Sequence, residues 1–372
     1  MRILHAITTI NRGGAENHLV ELVEGQVNLG YAVLVIYLKG DCYWRDFFEQ
    51  FDAKAICLNL KFYGDVRPCL RLRSHITHFQ PDIIHAHLPP AELYTRLALI
   101  GLPSYPLVIS KHNDEPFYKV KGQRWLARNI AKRANQLIAI SESVRHNVCL
   151  QELACPPAKV HTVYYGIDYT PYGTVAETDV SQLRDRWSIS PDTYLIGTVA
   201  RLAPQKSLHT LLQGFSLYLQ NNPSKTKLVI VGQGPLEAKL KQQAHDLNIQ
   251  SDVIWAGYRE DIPAVMNAID LFALTSKYEG FGLVLLEAMA AKKPVVASNI
   301  SAIPEVVDDG VTGLLVPPED PHELAQAFRF FEEAAKRAQY GIAGKTRALE
   351  KFSPKKMIAK TQFVYEQAIS SA

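Results

Sequence analysis

Cysteine is sparse in this chain and does not pair. Cys42, Cys57, Cys69, Cys149 and Cys155 are odd in number and form no C-x2-C spacing, which excludes a disulfide framework and a zinc knuckle. No D-x-D pair occurs anywhere, so a divalent ion chelated between two aspartates and a diphosphate is not expected, and no other cofactor is signalled. No window approaches the roughly 18 to 20 uninterrupted apolar residues of a membrane span. The opening "MRILHAITTI" lacks the basic region, long apolar core and cleavage site of a signal peptide and reads as a first strand. A net charge of +3 over 372 residues is too small for a nucleic-acid coat. Low-complexity tracts and short repeats are missing too. These absences together point to a cytoplasmic globular chain, and the 47% apolar content suffices for two cores.

Short β-branched runs alternate with amphipathic segments, the pattern of parallel sheets covered by helices. The first half holds "RILHAIT", "AVLVIYL", "DIIHAH", "PLVISK", "QLIAIS" and "KVHTVY"; the second holds "YLIGTVA", "KLVIVG", "DVIWAG", "DLFALT", "KPVVAS" and "TGLLV". Glu16 to Leu29 and Leu208 to Gln220 carry helical periodicity. The fold class is therefore α/β, with two doubly wound Rossmann-like domains. One spans 1–175 and takes back a terminal helix at 355–372, capped by Ser353 and faced by Met357, Phe363 and Val364; the other spans 190–354. Turn formers in "GIDYTPYGTVAETDVSQLRDRW" place the linker at 168–190.

The most informative stretch is "SKYEGFGLVLLEAMAAKKPVVAS", Ser276 to Ser298. Strand, glycine turn and helix start follow one another, an arrangement that offers free backbone N–H groups to an anion. Gly280, Phe281 and Gly282 form the turn, and the N–H groups of Leu283 and Val284 are aimed at a phosphate. Glu287 lies in an apolar helix, where a carboxylate needs a partner; a structural arginine is the plainer choice for a lone glutamate, but with the glycines and the apolar run beside it a pair of hydroxyls is favoured. Glu279, by the same plain standard, is a solvated loop residue. In "GTVARLAPQKSL", Arg201 and Lys206 follow a strand's carboxyl end and suit a diphosphate, although the motif taken alone reads better as two surface cations. Gly13 and Gly14 follow the first strand without the dinucleotide fingerprint, and Gly232 and Gly234 in "VGQGP" form a tight turn before Pro235. Among the histidines, His112 is singled out because its strand delivers it to the sheet's carboxyl edge; His5, His18, His85 and His87 are more often structural. Arg124, Arg128 and Lys132 recur four apart beside Trp125, Leu126 and Ile130, which fits either an anionic membrane surface or a solvated helix.

On these residues the sequence resembles family 4 of the nucleotide-sugar glycosyltransferases, whose GT-B fold is two facing Rossmann-like domains. The likeness runs from "RGGAE" through "ARLAPQKS" and "VGQGP" to the E-x7-E motif "EGFGLVLLE". It implies a retaining, metal-independent hexosyltransferase of glycan or polysaccharide biosynthesis. The donor it implies is a nucleotide sugar, UDP-linked first and GDP-linked next, and the acceptor a glycan, lipid-linked or small-molecule hydroxyl. It further implies that Glu279 holds the donor sugar, Glu287 the ribose, and Arg201 and Lys206 the diphosphate, helped by N–H groups at Gly14, Leu283 and Val284. His112 would flank the sugar, Gly232, Tyr258 and Arg259 the base, and Glu16 the acceptor. Two departures stand out. The usual Lys-Gly is Lys206-Ser207, and the usual Pro-Asn-Gly is replaced by "YYGID". Other enzymes of the same fold, such as sugar-nucleotide epimerases or phosphorylases, and a non-catalytic nucleotide-sugar binder are the alternatives.

Overall fold

The structure, a computed structural model, describes residues 1–114, 121–221 and 225–371. The chain divides into two compact units, Met1–Ile167 with Ser353–Ala372, and Asp168–Phe352. The first unit is a seven-stranded parallel sheet. Its strands are β1 (Arg2–Ile7), β2 (Ala32–Tyr37), β3 (Lys54–Cys57), β4 (Ile83–His87), β5 (Leu107–Lys111), β6 (Gln136–Ala139) and β7 (Val160–Thr162), in the order β3-β2-β1-β4-β5-β6-β7. The second unit is a six-stranded parallel sheet of β8 (Tyr194–Val199), β9 (Thr226–Val231), β10 (Val253–Gly257), β11 (Leu271–Leu274), β12 (Val295–Ser298) and β13 (Gly313–Val316), in the order β10-β9-β8-β11-β12-β13. In each unit the order reverses beside the first strand, which creates the switch point where open α/β sheets bind ligands.

Parallel strands are covered on both faces, so their residues are apolar in runs rather than in alternation. Every residue of β4, β5, β11 and β12 is buried. In the first unit Ile3, Ile7, Val35 and Ile83 pack against Leu19, Leu22 and Val23 of the helix Gly14–Asn28 and against the last helix, Pro354–Ser370. Burial of each such side chain stabilises by about 1.5–3 kcal/mol. Ser353 Oγ caps the last helix by accepting from the Lys356 N–H at 3.3 Å. Its buried stripe is Met357, Thr361, Val364, Tyr365 and Ala368. Phe363 does not belong to it: it lies off that stripe, is 53% exposed, and meets His161 edge-on.

Two further expectations are corrected. The presumed linker at 168–190 is largely ordered secondary structure of the second unit, with helices Thr170–Gly173 and Glu177–Arg186, and that unit begins at Asp168. Strand β3 is an addition that four residues of mixed polarity, "KAIC", could not announce. The substituted turn "YYGID" also has a role. A Cβ at Gly166 would stand 2.6 Å from the Pro354 nitrogen, so glycine lets the start of the last helix pack directly on this turn.

Candidate active site

In the second unit, β8 ends at Val199 and leads through Arg201 into a short 3-10 turn, Pro204–Lys206. This turn is clamped to the loop after β11. Lys277 N–H donates to Gln205 O at 2.8 Å, Gln205 Nε2 donates to Tyr278 O at 3.0 Å, and Thr275 Oγ1 donates to Lys206 O at 3.0 Å. The clamp brings two predicted site residues together: Lys206 Nζ donates to Glu279 Oε1 at 2.5 Å. Ser276, fully buried, donates to the same oxygen at 2.6 Å. Glu279 is therefore not a solvated loop residue but is buried at 6% exposure. One oxygen is spent on the protein, and the other accepts no bond among the described residues, so it is available to a ligand hydroxyl. Arg201 is exposed, and no carboxylate bonds it among the described residues. It is an unspent cation beside a spent one.

Ser207, where the family has glycine, keeps the glycine backbone. Its φ of 48° lies in the left-handed region, which costs a non-glycine residue on the order of 1 kcal/mol. Its buried hydroxyl lies 3.2 Å from Thr210 Oγ1 and its carbonyl accepts from Thr275. The departure changes the side chain, and the backbone at this position stays in the region that glycine adopts most readily.

The glycine turn ends at Gly282, φ 86°, which caps the helix Leu283–Ala290. Only Gly282 of the two turn glycines is left-handed; Gly280 is not. The first N–H groups of this helix, those of Leu283 and Val284 among them, have no intrahelical acceptor. Glu287 sits in the helix with no hydrogen-bond or ion-pair partner among the described residues, so no structural arginine answers it. Burial pushes its carboxyl up to about 7. A carboxylate held so far from its ordinary range, with nothing bonded to it, marks a functional-site candidate.

Gly232 and Gly234 have a structural role. A Cβ at Gly232 would lie 2.0 Å from Ala200 O, and one at Gly234 would lie 2.4 Å from Leu202 O. These glycines let the β9 turn press against the backbone that carries Arg201, and Leu202 N–H bonds Gln233 O at 3.0 Å across the join. Tyr258 is 44% exposed, while Arg259 is held by Asp261 through two bonds, of 2.8 and 2.6 Å.

In the first unit the helix Gly14–Asn28 begins after Gly13, whose backbone is extended, and a Cβ there would strike Glu16 Oε2. Glu16 accepts from Thr9 Oγ1 at 2.7 Å, and burial raises its carboxyl. Thr8 Oγ1, Asn11 Oδ1 and His18 Nδ1 are buried near it without a partner among the described residues. Such atoms call for a ligand or water.

The histidines form one system. Strand register sets His5 beside His85, and His87 beside Ser110. The Gln26 amide gives the system a direction. Its Nε2 donates to Tyr365 Oη at 3.2 Å, so its Oε1 accepts from His5 Nε2 at 2.8 Å. His5 Nδ1 then accepts from His87 Nε2 at 3.0 Å, His87 Nδ1 from His112 Nε2 at 3.0 Å, and His112 Nδ1 from Tyr165 Oη at 2.5 Å. On the other branch Tyr365 Oη donates to His85 Nδ1 at 2.7 Å and His85 Nε2 to Ser110 Oγ at 2.7 Å. Burial holds His5 down at about 4 and His112 at about 3, so the chain is neutral. Nitrogens of His5, His85 and His87 lie within 4.8 Å of one another, a spacing a metal could use, yet each is already hydrogen-bonded. His112 likewise differs from the open donor expected of it. Both its ring nitrogens are engaged inside the unit, and a sugar hydroxyl would have to displace Tyr165 or His87.

The basic row is also partly spent. Arg124 lies 3.5 Å from Glu152 Oε1, and Arg128 Nε donates to Glu152 O at 2.8 Å, while Lys132 and Trp125 are exposed. Among the described residues no helix is long and apolar enough to cross a membrane.

Comparison with known proteins agrees with this architecture. The model for Glycosyltransferase Family 4 matches residues 12–170 and that for Glycosyl transferases group 1 matches 179–347. The chain is 26% identical to UDP-Gal:alpha-D-GlcNAc-diphosphoundecaprenol alpha-1,3-galactosyltransferase of Escherichia coli, over 75% of this chain and 73% of that protein. It is 27% identical to N-acetyl-alpha-D-glucosaminyl L-malate synthase of Bacillus anthracis, over 76% and 74%. A crystal structure of Anabaena Alr3699/HepE in complex with UDP and glucose superposes with a TM-score of 0.85 at 25% identity, over 97% of this chain and 98% of that one. Two Rossmann-like domains, each matched by a glycosyltransferase family model, define a glycosyltransferase of the GT-B fold. The chain belongs to glycosyltransferase family 4.

Proposed function

We propose that this enzyme moves a hexose from a nucleoside-diphosphate sugar, a UDP-sugar before a GDP-sugar, to a hydroxyl of a glycan, lipid-linked or small-molecule acceptor, with retention and without a metal. The observation that carries the reading is Glu287, a carboxylate raised to about 7 and left without a partner, which two ribose hydroxyls would satisfy. Support for uridine comes from relatives: UDP occupies the Anabaena structure, and the Escherichia coli relative is named for UDP-Gal. Glu279 offers its second oxygen to the sugar, and Arg201, Lys206 and the helix start at Leu283 take the diphosphate.

Departure of the nucleoside diphosphate breaks the bond from the anomeric carbon to the phosphate oxygen and leaves negative charge on that oxygen. Lys206, Arg201 and the helix N-terminus stabilise that charge as it develops. The acceptor oxygen then bonds the same face of the carbon, and its proton passes to the leaving phosphate. This route needs no second carboxylate on the opposite face.

The test is proton NMR of the reaction of UDP-glucose, UDP-galactose, UDP-N-acetylglucosamine and GDP-mannose with EDTA present, with a synthetic N-acetylglucosamine diphospholipid and with water alone as acceptor. At least one donor is expected to give an α-configured product or α free sugar first. A β product, or donor binding without turnover in every pairing, contradicts the proposal.

A further inference from the structure

The edge of the first unit's sheet where β5 begins carries a cavity of about 520 Å³, lined by Arg96, Arg133, Ser104, Tyr105, Leu102 and Asn135 among others. It lies at the opposite end of β5 from His112. The volume falls within the range of ligand pockets, and none of its lining residues is acidic. Its frame is built rather than incidental. Asn135 and Leu107 exchange two bonds, of 2.9 and 3.0 Å, and Asn135 Nδ2 donates to Ser371 O at 3.3 Å. Arg73 Nη1 ties down the loop by donating to Ile100 O at 2.5 Å.

Neither Arg96 nor Arg133 meets a carboxylate among the described residues. Arg96 is half-buried, and burial, followed by the like charge of Arg133, depresses its guanidinium. Arg133 is exposed, and both arginines line a recess that holds no acidic side chain among the described residues, so the local charge there favours an anion. Guanidinium groups match the planar pairs of oxygens on a phosphate, and Ser104 and Tyr105 add hydroxyls. Exposed Leu97 (43%) and Ile100 (58%) lie on the same helix end and loop, apolar surface that a tail attached to the phosphate would cover. On the neighbouring helix Arg124 lies 3.5 Å from the Glu152 carboxylate and Arg128 donates to the Glu152 backbone carbonyl, so the test includes these cations as a control.

We infer that this recess binds a phosphate monoester or diester, supplied either by an anionic lipid headgroup or by a soluble phosphate compound. Two arms separate the sources: calorimetric titration with sn-glycerol 3-phosphate at constant ionic strength, and flotation with vesicles of phosphatidylglycerol in phosphatidylcholine against phosphatidylcholine alone. Each is run on the full chain and on Arg96→Gln/Arg133→Gln, with donor hydrolysis, expected to be unchanged, as the check on folding. Saturable binding of glycerol 3-phosphate that weakens at least about tenfold in the double variant identifies a soluble ligand. Flotation that needs phosphatidylglycerol and is lost in the double variant identifies a lipid. An Arg124→Gln/Arg128→Gln variant is expected to keep either binding. The inference is overturned if neither probe binds, or if the double variant binds as the wild type does.

Discussion

Lys206→Ala is expected to lower turnover by a factor of about 10² to 10³, mostly in kcat. Lys206 meets both partners of the reaction coordinate as we read it. Its ammonium bonds Glu279 Oε1 at 2.5 Å, and it retains two further donors for the donor phosphates. Removing it takes away a cation where charge develops and leaves Glu279, 6% exposed, with Ser276 alone. Interactions stronger in the transition state than in the ground state appear in kcat rather than KM. Arg201→Ala is expected to cost about 10² as well, without disturbing Glu279, because Arg201 makes no ion pair with it. Steady-state kinetics on the two variants decides the matter. Near-normal turnover in both removes the assignment of these cations to the leaving group.

Gly232→Ala is expected to destabilise the second unit by about 3 kcal/mol or more. Two costs add at one position. The backbone has φ 132°, a conformation L side chains rarely adopt, and the new Cβ would lie 2.0 Å from Ala200 O. Backbone cannot step aside as a flexible side chain can, so β9 and the Arg201 loop must separate. A unit of this size loses about 2–4 °C of Tm per kcal/mol, so scanning calorimetry should show its transition lower by about 6–12 °C. Gly282→Ala makes a useful contrast. There the nearest atom is Leu285 Cδ1 at 3.0 Å, the end of a flexible side chain, and about 1 kcal/mol is expected from the left-handed φ alone. Equal effects at the two glycines would contradict this account of Gly232.

Architecture was the most legible part of the chain, because parallel strands announce themselves as unbroken β-branched runs such as "AVLVIYL" and "DIIHAH". Strand β3 was too short to register, and the helix Glu177–Arg186 was hidden by its polarity and the turn formers before it. Within the site, local geometry could be read from order along the chain: the strand, turn and helix around Gly282 follow one another. Contacts between distant segments could not. Lys206 and Glu279 are 73 positions apart, and nothing local says that one clamps the other. The glycines of "VGQGP" were legible as glycines, but whether they admit a ligand or a neighbouring backbone depends on what lies opposite. The histidines were the clearest failure of single-residue reasoning. His112 looked like an open donor because it ends a strand, whereas His87 and Tyr165, 25 and 53 positions away, engage both its nitrogens.

The claim that the second unit holds a nucleotide through Glu287 is tested most directly by calorimetric UDP affinity as a function of pH, with EDTA present, in wild type and Glu287→Gln. A ribose diol donates to the ionised carboxylate. The free protein carries that group at about 7, so binding must release its proton in acid. UDP affinity in the wild type should therefore be steady above pH 7 and fall toward tenfold per pH unit below it. Glu287→Gln should bind at least about tenfold more weakly and keep only the shallower fall that the terminal phosphate of UDP, with a second pKa of about 6, brings to both proteins. Wild-type affinity that falls no more steeply than that of Glu287→Gln, together with equal affinity in the two proteins, would contradict the account.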